Sequence, residues 1–295
     1  MKIRLRRLAT ATTVFLALSL APTPAIGQSA SPTPEIPRLP NGKPDFSGVW
    51  ARPRVADITR DGRGCGSGER ECTQKGSGEL PFTPLGAQMD KEPKFDYTAF
   101  CLPWGYTRAM QTEYPVEILQ TPKRFVYLFE SNNIFHVVPT DGRQLPKELD
   151  PKWMGTSVGR YEGDTLVIDT VAIKKGPFAM LDMFGTPFSD KLHVVERYRL
   201  VDYEAAKDEI ERNAKENMFF GTGSGGAVFD PNHRGKFLQL HFTVEDEDTF
   251  TTPWTATITY WPNLVEWPDL ICAENPQAFY AGGNAIVPHA DKPDF

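Results

Sequence analysis

Glu196 stands in the middle of LHVVERYRL, where Leu192, Val194, Tyr198 and Leu200 alternate with His193, Val195, Arg197 and Arg199. Alternate side chains of a strand share a face, so this carboxylate is set among apolar neighbours on the core side. A lone buried carboxylate is costly; it has to be paired, hydrogen-bonded or protonated. Beside a cavity, such a group can take and return protons near neutrality. Arg160, in VGRYEGDTLVIDT, shares its face with Val158 and Glu162 and is the expected partner, because a guanidinium can hold a carboxylate with two N–H bonds. The pair would serve either as a structural ion pair inside the fold or as a proton-transfer group with a cation beside it to stabilise developing negative charge.

His136 supplies a third candidate, sharing its face with Ile134 and Val138. The expected catalytic set is therefore Glu196, Arg160 and His136, with Tyr127, Tyr198, His193, Phe188 and Trp153 as the substrate-binding set. The chemistry they suggest is acid–base proton transfer on an apolar or aromatic small molecule, as in elimination, isomerisation or cyclisation, with no metal and no organic cofactor. Three alternatives use the same residues or their neighbours: a hydrolase in which Glu196 activates water, a non-catalytic carrier of a hydrophobic ligand, and a surface interaction module built on residues 54–98. No G-x-S-x-G elbow and no H-x-H or H-E-x-x-H spacing occurs in the chain. The acidic run Glu245-Asp246-Glu247-Asp248 lacks the spacing of a calcium loop and reads as a solvated turn.

The elements that must position these groups are strands. Short runs rich in β-branched and aromatic residues occur at 116–120, 124–130, 133–138, 192–201, 237–245 and 255–261, with a further candidate at 270–274. Two more strands flank the turn Glu162-Gly163-Asp164-Thr165, and Gly48-Val49-Trp50 has the spacing with which lipocalin-like barrels begin. About nine strands joined by short turns, without alternating helices, predict an antiparallel β-barrel (lipocalin-like) or a curved β-sandwich. One helix is expected over 203–220. The glycine-rich stretch that follows it, 221–226, has no Lys-Ser/Thr and reads as a hinge beside a helical flap.

The first 27 residues have the form of an export signal: Lys2, Arg4, Arg6 and Arg7, then an apolar stretch from 8 to 20, then Ala25-Ile26-Gly27. They hold four positive charges and no negative one, so their removal takes the net charge from −6 to −10. An acidic protein repels phosphate backbones and anionic lipid, which disfavours nucleic acid as a partner; no later run is long enough for stable membrane insertion. The expected location is periplasmic or secreted. Residues 28–45 read as a Pro/Ser-rich linker, 46–295 as a single β-rich domain, 54–98 as irregular structure and 203–235 as an insertion. In an exported protein, Cys65, Cys72, Cys101 and Cys272 are expected as the disulfides Cys65–Cys72 and Cys101–Cys272; a metal site is the alternative, which the C-x6-C spacing does not favour.

The segments LPNGKPDFSGVW, CLPWG, TPKRFVYLFESNNIFHVVPTDGRQLPKELDPKWMGTSVGRYEGDTLVIDT, LHVVERYRLVD, VEDEDTFTTPWT and ICAEN, taken in order from Leu39 to Asn275, resemble a family of exported bacterial proteins of acidobacterial and sphingomonad type. The resemblance implies export and no single activity. Within it, Phe188 stands where Pro-His tends to precede the LHV strand, His136 stands where Arg is frequent, and 203–235 looks inserted. Changes at those places would alter the polarity and cover of a cavity.

Overall fold

Nine strands, β1 to β9, form one sheet: Gly48–Ala51, Val116–Thr121, Arg124–Phe129, Ile134–Pro139, Thr156–Glu162, Thr165–Val171, His193–Asp202, Lys236–Glu245 and Trp254–Pro262. The computed structural model describes residues 35–51, 80–93, 101–110, 114–130, 133–175, 180–182, 185–215, 228–266 and 271. The order across the sheet is β4-β3-β2-β1-β9-β8-β7-β6-β5, and every pairing along it is antiparallel. The sheet curls into a nearly closed barrel, as the strand pattern predicts. The third strand is typical of why these runs pair: Phe125, Tyr127 and Phe129 are buried on one face while Arg124, Val126 and Leu128 turn outward.

Strand parity governs the last step of closure. Eight antiparallel pairings bring β5 into the same direction as β4, so a continuous ring would need a parallel ladder between them. Among the described residues no such ladder joins them. Side chains fill the seam instead. His136 on β4 hydrogen-bonds Ser157 on β5 at 2.7 Å. Gly159 leaves space that Thr140 and Val138 occupy; a Cβ there would lie 2.9 Å and 3.3 Å from their methyl carbons.

Among the described residues three helices lie off the sheet: α1 (Pro84–Lys91), α2 (Tyr106–Ala109) and α3 (Tyr203–Lys215). Thr83 caps α1, its hydroxyl accepting from Gly86 N at 2.9 Å, with Pro84 opening the first turn. This helix falls inside the stretch expected to be irregular, because eight residues with one strong cap leave little periodic signal. The start of α2 follows Gly105, whose φ of +82° suits glycine, and all four of its residues are buried. The expected helix over 203–220 is present as α3; residues 216–227 are outside the described set. It lies on the outer wall, where Ala206, Tyr203 and Ile210 pack with Val201, Phe237 and Trp261.

Two further expectations are corrected. Residues 35–45 are not loose linker: Arg38 forms a two-pronged ion pair with Asp164 at 2.8 and 2.9 Å, and Leu39 is buried. The acidic turn is solvated only in part, since buried Asp246 accepts from the backbone and side chains of Ser189 and Thr249. The export signal, residues 28–34 of the expected linker, Cys65, Cys72 and Cys272 lie outside the described residues, and 270–274 does so except for Ile271. Among the described residues no helix is long and apolar enough to cross a membrane.

Candidate functional site

Glu196 is buried inside the barrel, on the face that strand alternation assigns to it. Three phenols surround its carboxyl. Tyr106 and Tyr127, the latter at 3.4 Å, donate to Oε2, and Tyr198 donates to Oε1 at 2.9 Å. Tyr127 comes from β3, Tyr198 from β7 two residues beyond Glu196, and Tyr106 from α2, which enters the interior. Burial pushes Glu196 up to about 7, against the three hydrogen bonds, which pull it down. Burial first, and then the Glu196 charge, hold the three phenols well above their usual range.

Two hydroxyls adjoin His136 next to this cluster. Thr170 lowers the Tyr106 phenol against the effect of burial, and its Oγ1 lies 2.6 Å from Ser157 Oγ, which lies 2.7 Å from His136 Nε2. Ser157, Thr170 and His136 are all buried. The imidazole stacks on Tyr127 and meets the Tyr106 ring edge-on, with centroids 6.1 and 5.2 Å away. Burial, and secondarily the Lys152 charge, lower His136 to about 4, so it is neutral at pH 7. It can pass a proton or orient a hydroxyl without carrying a fixed charge into the interior.

Arg160 is not part of this cluster. It is exposed, pairs with Asp169 and, at 3.1 Å, with Glu162, and does not reach Glu196. The inward residues of β5 are Ser157 and Gly159, so Val158, half-buried, marks the outer face rather than the core. Small inward residues fit here because the seam and Thr170 need the space. The ion pair expected from the sequence is thus replaced by neutral donors, which stabilise a buried carboxylate without burying a second charge.

The expected substrate-binding residues divide in the same way. Tyr127 and Tyr198 are in the cluster. His193 lies on the outer face, its ring nitrogens 3.1 Å from Glu245 and 3.4 Å from Asp169. Phe188 is a core residue. Trp153 is half-buried, with the Lys174 ammonium 5.3 Å over its ring. Tyr106, Ser157 and Thr170 were not anticipated; the one sequence signal for Tyr106 is its place directly after the turn glycine of CLPWGY.

Beside Glu196 is a void of about 10 Å³, lined in part by Tyr106, Met110, Val194 and Phe242, with room for a single water molecule. A larger groove of about 420 Å³ lies on the outer side of β5 to β7. Among the described residues no three His, Cys, Asp or Glu side chains are grouped to hold a metal ion, and no described cysteine is free. No protein-family model, curated protein or solved structure matches the chain.

Proposed function

We propose that the protein is an enzyme of acid–base proton transfer, acting without a cofactor on an apolar or aromatic small molecule, with Glu196 as the group that takes and returns the proton. The observation that carries this reading is a buried carboxyl held near neutrality and ringed by three phenolic donors. In an apolar site such donors stabilise an oxygen that gains charge as a neighbouring C–H gives up its proton. Glu196 removes that proton, a tyrosine hydroxyl supports the oxygen, and the proton returns at a second carbon; the sum is an isomerisation or a cyclisation with no net oxidation. Arg160 has no role in this scheme.

The water-sized void beside Glu196 favours one second reading, a hydrolase in which Glu196 activates water. Turnover of a panel of aromatic and terpenoid compounds by wild type and Glu196→Gln tests the reading. The variant should bind as wild type does and lose about 100- to 10,000-fold in rate. Full turnover by the variant would refute it, and binding without turnover of any compound by wild type would point to a carrier. Incorporation of solvent oxygen into product distinguishes hydrolysis from isomerisation.

We further propose that the enzyme works outside the cytoplasm, a reading supported by the form of residues 1–27 and by the family resemblance; there Cys65–Cys72 and Cys101–Cys272 would be oxidised. Peptide mapping of the secreted protein without reduction should return those two linked pairs.

A further inference from the structure

Among the described residues, backbone ladders join every pair of neighbouring strands in the barrel wall except β4 and β5, which meet through side chains. The contacts there include the His136–Ser157 hydrogen bond and the packing of Val138 and Thr140 into the space at Gly159. The groove of about 420 Å³ lies against the outer side of this wall, and Val158, Gly159 and Arg160 of β5 help line it. Its size is that of a small-molecule site, whereas the void beside Glu196 holds one water. A guest larger than water therefore fits the groove and not the void beside Glu196.

The groove's chemistry restricts the guest. Arg143 is paired with Asp141, Arg160 with Asp169 and Glu162, and His193 lies against Asp169 and Glu245. Each guanidinium already has a carboxylate partner and each of those carboxylates a basic side chain beside it, so an ionic ligand would have to displace a partner. An uncharged molecule can use the remaining N–H groups and lone pairs, while Leu145, Val158 and Val171 offer hydrocarbon. Building on the proposed role of Glu196, we propose that the groove is an outer binding site for an uncharged molecule with hydrocarbon on one side and a hydroxyl or carbonyl on the other. From there, the molecule reaches Glu196 by parting the β4–β5 seam.

Thiol labelling tests this without any turnover. Val138 at the seam and Val244 on the laddered wall are both fully buried, and Val→Cys is a small change at each. Under native conditions methyl methanethiosulfonate should label Val138→Cys at least tenfold faster than Val244→Cys, after subtraction of the wild-type signal. Cyclohexanol should slow the seam labelling, cyclohexanecarboxylate and cyclohexylamine should not, and Val158→Phe, which fills the groove, should abolish the cyclohexanol effect. Equal rates at the two positions, once corrected for global stability from urea unfolding, would overturn the route. Protection by the charged compounds but not by the alcohol would overturn the ligand class. If Val244→Cys does not fold, Val194→Cys, also buried, replaces it. Wild-type amide exchange of β4 and β5 against β7 and β8 gives an independent comparison. Because these rates need no reaction, they stand or fall apart from catalysis by Glu196.

Discussion

Glu196 and His136 pull the pH dependence of stability in opposite directions. Glu196 has an ordinary value of 4.5 and a folded value of about 7, so between those pH values the folded chain keeps a proton that the unfolded chain has lost. Its contribution to stability therefore falls as pH rises through that window and is constant above it. His136 goes from 6.5 down to about 4: its contribution is fully present above 6.5 and is lost as pH falls towards 4. The two slopes largely cancel between 4.5 and 6.5. Glu196→Gln removes one of them, so urea unfolding at pH 5 and pH 8 should show the variant gaining on wild type by about 3 kcal/mol at the higher pH; an unchanged difference would mean that the carboxyl is not held near neutrality. Arg160→Ala should cost less than about 1 kcal/mol, the usual scale for an exposed pair, and should leave that pH profile intact. A loss of several kcal/mol would restore the buried pairing with Glu196. The placement of Glu196 was legible from Leu192, Val194, Tyr198 and Leu200, four apolar residues in step. The face of β5 was not, because Val158 is apolar yet turned outward, while the inward Ser157 and Gly159 carry no hydrophobic signal.

At the scale of elements, the seam between β4 and β5 depends on what its residues lack as well as what they contribute. Gly159→Ala would set a methyl group 2.9 Å from Thr140 Cγ2 and 3.3 Å from Val138 Cγ1, so it should destabilise by about 1–3 kcal/mol, the cost of overpacking a filled site. A midpoint in urea equal to that of wild type would show that the two strands are further apart than described. Ser157→Ala leaves His136 Nε2 and Thr170 Oγ1 without the hydroxyl that joins them. It should cost about 1–3 kcal/mol and speed amide exchange in β4 and β5 more than in β7. The strands and their order of appearance were readable from short runs rich in β-branched and aromatic residues, and the helix after β7 from its wealth of Ala, Glu, Lys and Asp. The four-residue α2 was not, since a single turn has no period to detect; its effect, bringing Tyr106 to Glu196, is visible only once the barrel is assembled around it.

For the whole molecule, the order of strands in the sheet differs from their order in the chain at one place. β2 to β4 and β5 to β9 are each runs of neighbours, while β1 sits between β2 and β9 and joins the two runs. It is four residues long, pairing with Val116, Glu117 and Ile118 on one side and with Trp261 and Pro262 on the other. Sequence patterns locate such a strand by its own residues but cannot say which distant partner it meets. The first strand to leave the ribosome can therefore complete its pairing only after the last has emerged. Contacts so remote in sequence are slow to form. Nascent chains halted short of Trp254 would contain two separate meanders and no continuous wall, with Trp50 and Ala51 still waiting for the residues that complete it.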